Sequence, residues 1–506
     1  MARDPQAALV ALNRFGLGAR GGASSDFASA ASDPRGFVKA ELGKPGVALL
    51  EAPGLQDTPT LAKALFDYQA EVKQQREAAK IAAANSDDNK SNDAKPENAK
   101  PENAMAAAVK PGDMASADAM STNPPTQPPK AQSQPLNVVQ KTYRAEALAR
   151  FQHAGLAEVG FVERLVIFWS NHFCVSANKG QPAHIWAGAF EREAIRPHVL
   201  GRFGDMLQAV EQHPAMLFFL DNQQSIGPNS KAGQNRKRGL NENLAREIME
   251  LHTLGVGSGY TQADVTTLAR IITGWTYAGR DGRLGPPGTF VFNANAHEPG
   301  LQTLLRKTYD DRGVAQGEAA LSDIARQPAT ARFIATKLVR HFVADDPPPA
   351  LVARLADVFG KTDGDLRAVA VALLESDAAW QAPMTKLRTP YDYLIASGRL
   401  LARPPEEPGR MLGALSLLGQ PLWTPAGPNG FADTNAAWAS PEGMKLRLDV
   451  ASQLSSRVAD SVDARDLLDT VAGQAASPET RQTVARAESR QQALALLLMS
   501  PEFQRR

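Results

Sequence analysis

A long change of composition interrupts this chain and limits what it can fold into. From about Ala79 to about Leu136 the sequence consists mainly of Ala, Asn, Asp, Lys, Pro, Gln and Ser, and it contains the near-repeat that begins Ala94-Lys-Pro-Glu-Asn. This segment has no aromatic residue and few large aliphatic ones, so its apolar surface is too small to offset the entropy of ordering. We therefore predict that residues 79–136 form one long disordered insert.

The sequence on both sides of the insert has the composition of a folded protein, since 43% of the 506 residues are hydrophobic. Apolar residues recur at helical spacing in many segments, among them residues 161–173, 203–219 and 490–499. Strand signals are few, and residues 289–293 predict one strand of a small hairpin. We predict a mainly α protein with a large multi-helix, bundle-like body at residues 137–506. An N-terminal helical segment, residues 1–78, is expected to pack on that body.

Charge, cysteine content and hydropathy narrow the class of protein. The 55 Lys and Arg residues balance 54 Asp and Glu residues, which gives no electrostatic argument for a nucleic-acid partner. The single cysteine, Cys174, excludes an internal disulfide framework, and its apolar neighbours indicate a buried side chain. No run approaches the ~18 apolar residues of a membrane span. Because the first residues do not resemble a signal peptide, we expect a cytoplasmic protein by default.

The common catalytic signatures are missing from the sequence. It has no Gly-x-x-x-x-Gly-Lys-Ser/Thr phosphate loop, no His-Glu-x-x-His pair and no Gly-x-Ser-x-Gly elbow. Phosphate-loop enzymes, common zinc proteases and serine hydrolases are therefore disfavoured.

The densest polar cluster is Asn241-Glu-Asn-Leu-Ala-Arg-Glu-Ile-Met-Glu-Leu-His252. On an α-helix of about 3.6 residues per turn, Asn243, Glu247 and Glu250 lie in one stripe with Arg246 beside it. Two carboxylates one turn apart can hold a divalent cation, or they can act as an acid and a base. The alternative is an ordinary amphipathic helix with a solvated polar face, on which Arg246 and Glu250 form an i,i+4 pair.

Three histidines provide the imidazoles that could join these carboxylates. His172 lies in a very apolar predicted helix and needs a polar partner there, His252 ends the polar cluster, and His297 precedes Glu298 in a turn after the predicted strand. Carboxylates and imidazoles together are the ligand types of a mixed metal site, although a lone histidine such as His172 is more often a hydrogen-bonded core residue than a ligand. The candidate metal ligands are His172, Glu247, Glu250 and His297, and the candidate catalytic residues are Glu247, Glu250, His252 and Arg246.

Several motifs together give the chain a family resemblance. The run Asn243-Leu-Ala-Arg-Glu-Ile-Met-Glu-Leu-His-Thr-Leu-Gly255 is followed by Gly259-Tyr-Thr-Gln-Ala-Asp-Val265 and Thr273-Gly-Trp275, and Asn13-Arg-Phe-Gly-Leu-Gly18 and Trp169-Ser-Asn-His-Phe173 precede it. This pattern resembles the bacterial family catalogued as domain of unknown function 1800, and it spans nearly the whole chain outside the insert. The resemblance supplies no established activity, cofactor or catalytic residue.

The resemblance also implies a partner. Members of the family are often encoded beside proteins of domain of unknown function 1501, which look similar to the alkaline phosphatase and sulfatase fold and frequently carry a twin-arginine export signal. Export in complex with such a partner is therefore an expectation beside the default cytoplasmic location.

Two functional hypotheses follow. The first is a metal-dependent hydrolase or other acid–base enzyme with a carboxylate–histidine site and a divalent metal as candidate cofactor. The second is a non-catalytic scaffold or chaperone for the co-encoded partner. Because buried carboxylates are costly without partners, a stripe of Asn243, Glu247 and Glu250 that faces the histidines favours the first, and a stripe that faces water favours an ordinary helix.

Overall fold

A computed structural model of the chain describes residues 4–22, 25–90, 135–234 and 239–506. Helices dominate these residues, so the predicted mainly α fold is confirmed. The α-helices are α1 (Pro5–Val10), α2 (Asp26–Ser32), α3 (Pro34–Leu42), α4 (Thr58–Lys90), α5 (Val138–Leu156), α6 (Phe161–His172), α7 (Gln181–Phe190), α8 (Phe203–Glu211), α9 (Pro214–Phe219), α10 (Asn243–Glu247), α11 (Gln262–Ile271), α12 (Val314–Ala325), α13 (Pro328–Phe342), α14 (Pro349–Lys361), α15 (Leu366–Glu375), α16 (Asp377–Gln381), α17 (Pro390–Leu400), α18 (Gly409–Leu417), α19 (Asn435–Trp438), α20 (Pro441–Val458), α21 (Ala464–Val471), α22 (Pro478–Ala485), α23 (Arg490–Met499) and α24 (Pro501–Gln504). Shorter turns are π-helical at Ala11–Phe15, Glu191–Ile195 and Ile248–His252 and 3-10 at Ala177–Lys179, Arg196–His198, Asn222–Gln224 and Gly473–Ala475. In the described ranges, no helix is both long and apolar enough to cross a membrane.

Helix boundaries follow capping chemistry that is visible in the sequence. The Thr261 hydroxyl accepts a hydrogen bond from the Asp264 backbone and the Asp264 side chain accepts one from the Thr261 backbone, so the two residues form a capping box at the start of α11. Pro214 begins α9 three residues after α8 ends at Glu211, as its restriction of the backbone predicts.

Two antiparallel hairpins interrupt the helices, although the sequence predicts only the first. In that hairpin β1 (Trp275–Tyr277) pairs with β2 (Phe290–Phe292), with Trp275 opposite Phe292. In the second, β3 (Gln302–Leu304) pairs with β4 (Lys307–Tyr309). Its two-residue turn places Leu305 and Arg306 at φ +48° and +66°. Such turns are usually made by Gly or Asn, so the sequence at this point gives no turn signal.

The helix before the predicted insert is longer than its sequence pattern indicates. The apolar pattern ends near Arg76, but α4 continues to Lys90 through an alanine-rich stretch, and alanine is the strongest helix former. The remainder of the predicted insert between residues 91 and 134 lies outside the described residues. Residues 1–66 and 138–506 form one compact unit, and residues 67–137 form another.

The N-terminal motif Asn13-Arg14 anchors the first segment to the C-terminal part of the larger unit. Both side chains are buried in the π-helical turn Ala11–Phe15. The Arg14 guanidinium donates to the backbone oxygens of Ala379, Ala382 and Pro383 at 2.7–2.9 Å. This motif therefore has a structural role, because it satisfies carbonyl groups that would otherwise be buried without donors.

A buried ion cluster ties α5 and α6 to the π-helical turn Glu191–Ile195. The Arg196 guanidinium lies 2.7 Å from a Glu163 oxygen and 2.9 Å from a Glu191 oxygen. Arg150 donates from Nε to Glu191 at 2.8 Å. None of the four side chains is more than 5% exposed. Two arginines and two glutamates thus neutralise one another inside the protein, which is the condition for burying charge.

Candidate functional site

The predicted signature helix changes its geometry halfway along. Residues 243–247 form the α-helix α10, but residues 248–252 form a π-helical turn, in which hydrogen bonds join residues five apart. The prediction that residues 241–254 form one regular α-helix is therefore wrong in its second half. Gly255 does follow the end of the turn at φ +84°, and a Cβ there would lie 2.6 Å from the Phe333 ring. The wider turn changes which side chains face inward.

The outer part of this segment is a solvated polar face. Arg246 lies 3.2 Å from Glu242 and 3.4 Å from Glu250, and all three side chains are about one-third exposed. Asn243 is exposed at the start of α10. The alternative interpretation of the polar stripe, an i,i+4 pair of Arg246 and Glu250, is thus the arrangement observed for these residues.

The inner part of the segment holds a buried carboxylate–imidazole pair. Nδ1 of His252 lies 2.8 Å from Oε1 of Glu211, and the two side chains are 1% and 0% exposed. Because a carboxylate accepts hydrogen bonds, Nδ1 of His252 carries a proton and donates it to Glu211. Glu211 therefore fixes the orientation of His252.

His172 packs directly against this pair. Its Nε2 donates to the backbone oxygen of His252 at 3.0 Å, so the lone pair of the neutral ring is on Nδ1. Nδ1 is buried and has no hydrogen-bond partner among the described residues. Burial, together with the charges of Lys337 and His252, holds the pKa of His172 well below 6.5. The structure therefore brings together two of the three predicted histidines, with His172 uncharged.

Glu247 and Lys337 lie at the partly exposed side of this histidine pair. Burial raises the pKa of Glu247 above its ordinary value against the opposing effect of His252, and Glu250 and Glu211 raise it further. Burial lowers the pKa of Lys337 to about 8. Both groups act electrostatically on Cys174, which is buried at the end of α6. A carboxylate that binds protons more tightly than usual and an ammonium that loses its proton more easily than usual thus both lie within electrostatic range of Cys174.

The ammonium group of Lys337 lies over an aromatic ring. It stands 5.4 Å from the centroid of the Phe333 ring. No carboxylate or carbonyl in the described part of the chain accepts a hydrogen bond from it. Cys174 and the Asp433 carboxylate act on it electrostatically and oppose the effect of burial on its pKa.

His297 belongs to a different set of contacts. Its Nδ1 donates to the Thr273 backbone oxygen at 3.0 Å, and its ring packs against Phe292. Within the described ranges, no hydrogen bond, ion pair or ring contact joins His297 to the other five candidate residues. Among the described residues, no group of three or more His, Cys, Asp or Glu side chains is arranged to hold a metal ion. A metal centre made of all four candidate ligands is thus not assembled here, since β-hairpin contacts occupy His297.

Sequence reasoning missed Glu211 and Lys337. Glu211 follows Leu207 by one helical turn on the face of α8 that is buried with Met206 and Val210. A carboxylate on an apolar stripe needs a buried partner, and this signal was available in the sequence. Lys337 gives a weaker signal, because lysine stems often cover apolar surface while the ammonium stays in water.

Comparison with known proteins shows that the model of one family matches the chain. The model of a family described as "Protein of unknown function (DUF1800)" matches residues 10–505 of the chain. Neither the curated proteins nor the solved structures gave a match. The matched range includes every residue of the site built above, from His172 to Lys337.

Proposed function

We propose that this chain, which belongs to the DUF1800 family, is an acid–base hydrolase that uses Glu247 as general base and Lys337 as electrostatic stabiliser. The observation that carries the proposal is the buried pair of Glu211 and His252, joined at 2.8 Å behind the partly exposed carboxylate of Glu247. Buried charged pairs beside a perturbed carboxylate are typical of sites that move protons.

The proposed reaction follows from the altered pKa values of Glu247 and Lys337. Glu247 accepts a proton from a water molecule, whose oxygen then forms a bond to the carbonyl or phosphoryl centre of the substrate. The ammonium of Lys337 stabilises the negative charge that develops on the substrate oxygen. Glu247 then returns the proton to the leaving group as the bond to that group breaks. Burial serves this cycle because a carboxylate with a raised pKa is a stronger base than an ordinary one.

The residues behind Glu247 act as positioning residues. Glu211 holds the His252 ring through Nδ1, and His172 holds the backbone oxygen of His252. The π-helical turn Ile248–His252 allows His252 to face inward while Glu247 stays partly exposed. These contacts fix the charges around Glu247, and such preorganisation is what a proton-transfer site requires.

The proposal is tested by assaying the whole chain on ester, amide, phosphoester and glycoside substrates across pH 4–10, with EDTA and separately with Mg²⁺, Mn²⁺ or Zn²⁺. We expect hydrolysis of one class with a bell-shaped pH profile of kcat/KM. The rising limb reports loss of the Glu247 proton above pH 4.5, and the falling limb near pH 8 reports loss of the Lys337 charge. Comparing the assays with EDTA and with added metal ions shows whether a divalent cation takes part in the reaction.

A folded chain that is inactive on every class, with and without added metal, would overturn the proposal. The scaffold hypothesis would then be the one to pursue, by co-expression with a protein of domain of unknown function 1501 and size-exclusion chromatography.

A further inference from the structure

A second site lies on the other side of α6, and it does not depend on the proposed function. A cleft of about 60 Å³ opens between α5, the end of α6, the start of α17 and residues 420–425. One water molecule needs about 15 Å³ by the same measure, so the cleft can hold a few waters or one small functional group. Its polar lining comes mainly from Arg150, Ser170, Tyr391 and Gln420.

Arg150 presents free hydrogen-bond donors to this cleft. The side chain is 4% exposed, and among the described residues its hydrogen bonds to Glu191 are made by Nε at 2.8 and 3.0 Å. The two terminal nitrogens of the guanidinium have no acceptor in that part of the chain. The guanidinium carbon lies over the Tyr391 ring, 4.4 Å from its centroid, and this contact together with the bonds to Glu191 holds the group in place.

Two further donors converge on the same cleft. The hydroxyl of Tyr391 is buried without a partner, and the side chain is 3% exposed. Burial raises the pKa of Tyr391, so the hydroxyl keeps its proton. Oε1 of Gln420 accepts from the Tyr391 backbone at 2.8 Å, which directs its amide nitrogen away from that bond as a free donor.

The nearest carboxylate, Glu191, does not oppose an anion in the cleft. Its oxygens accept hydrogen bonds from Arg150, Arg196, Ser170 and Trp423. Arg150 and Arg196 balance the charges of Glu191 and Glu163, so the ion cluster carries no net negative charge that would repel an anion from the cleft.

Trp423 lines the cleft with its backbone in an uncommon conformation. Its φ of +48° is uncommon for a residue with a side chain, and its indole nitrogen donates to Glu191 at 3.3 Å. Backbone strain of this kind is retained where the surrounding structure needs the side chain in one place. Here it keeps an aromatic ring over the Arg150 guanidinium, 5.7 Å away.

We infer that this cleft binds a carboxylate group, held by the free edge of Arg150, the Tyr391 hydroxyl and the Gln420 amide. A planar carboxylate matches the fork of a guanidinium, and its two oxygens accept the donors that are otherwise unsatisfied. The volume admits the carboxylate and one or two further carbon atoms, so the remainder of a larger ligand has to extend past Trp423.

The test is saturation-transfer NMR of the full chain with acetate, in a buffer free of other carboxylates. Wild type should bind acetate saturably in the millimolar range, as expected for so small a ligand. Acetamide, which has the same shape but no charge, should bind at least about tenfold more weakly. Equal binding of acetate and acetamide, or no saturable binding of acetate, would overturn the inference.

Two variants assign the binding to this cleft. Tyr391→Phe removes one donor, and we expect about tenfold weaker binding of acetate with an unchanged or higher Tm, because the hydroxyl has no partner to lose. Gln420→Glu keeps the acceptor for the Tyr391 backbone but places a negative charge at the ligand, and should weaken binding by more than about tenfold.

The matched control is Tyr393→Phe. This tyrosine is also buried, but its ring packs against Phe503 and Arg447 rather than at the cleft. Acetate affinity should stay at the wild-type value. If Tyr391→Phe and Gln420→Glu both bind acetate as wild type does, the carboxylate lies elsewhere and the assignment is wrong.

Discussion

Replacing Arg196 by methionine should lower the free energy of unfolding by about 3–5 kcal/mol. The substitution leaves Glu163 and Glu191 buried with one arginine between them instead of two. Although burial opposes ionisation, Arg196 and His153 lower the pKa of Glu163 to about 2. Relative to the ordinary value of 4.5, that lowering corresponds to about 3 kcal/mol, in agreement with the expected loss. Denaturant unfolding at pH 7 measures it.

The loss of stability in Arg196→Met should also depend on pH. Because the pKa of Glu163 is depressed in the folded state, its contribution is present above pH 4.5 and is lost as the pH falls towards 2. The difference in free energy of unfolding between wild type and Arg196→Met should therefore become smaller below pH 4.5. Arg202→Met is the control, since Arg202 pairs with Asp363 at the surface and should contribute at most about 1 kcal/mol. Equal losses in the two variants would contradict the account of the cluster.

Replacing Glu247 by glutamine should lower kcat about 10²–10⁴-fold, the usual contribution of a general base. The amide cannot accept the proton of the attacking water, but it has nearly the same shape and is partly exposed, so the fold should survive. The measurement is kcat and KM on the substrate class that wild type hydrolyses, with circular dichroism and Tm as checks of folding.

Glu242→Gln is the matched control for this loss. Glu242 precedes α10 on the same segment, but its carboxylate is engaged by Thr266, Gln262 and Arg246 on the outer face. Its replacement should change kcat by less than about threefold, within the range expected for a surface substitution. If Glu242→Gln and Glu247→Gln lose activity equally, the loss reports a disturbed helix and not the general base.

The sequence allows the helical architecture to be predicted because its signals are local. The capping box at Thr261, the restart at Pro214 and the strand at residues 290–292 each depend on a few neighbouring residues. The hairpin turn at Leu305 and Arg306 is not predicted because neither residue is the Gly or Asn that usually adopts positive φ in such a turn. Local sequence patterns therefore predict helices and strands better than they predict turns made by unusual residues.

The site shows where local reasoning ends. The stripe that joins Glu247 to Glu250 assumes α-helical spacing, and a π-helical turn begins at Ile248. His172 and His252 meet although 80 residues separate them in sequence, and Glu211 joins them from a third segment. The fold decides which of the candidate residues meet: His252 contacts His172 and Glu211, and His297 lies among other contacts.

The most direct test of the site is the pH dependence of stability in wild type and Glu247→Gln, measured by denaturant unfolding between pH 4 and pH 8. Because the folded pKa of Glu247 is raised, the folded wild type favours the protonated carboxyl, and the stability associated with that proton is present below pH 4.5 and lost as the pH rises through the folded pKa. We therefore expect Glu247→Gln to match wild type near pH 4 and to be the more stable protein at pH 8. A difference that does not change with pH, or a variant that is less stable at pH 8, would contradict the central claim that burial has made Glu247 a stronger base.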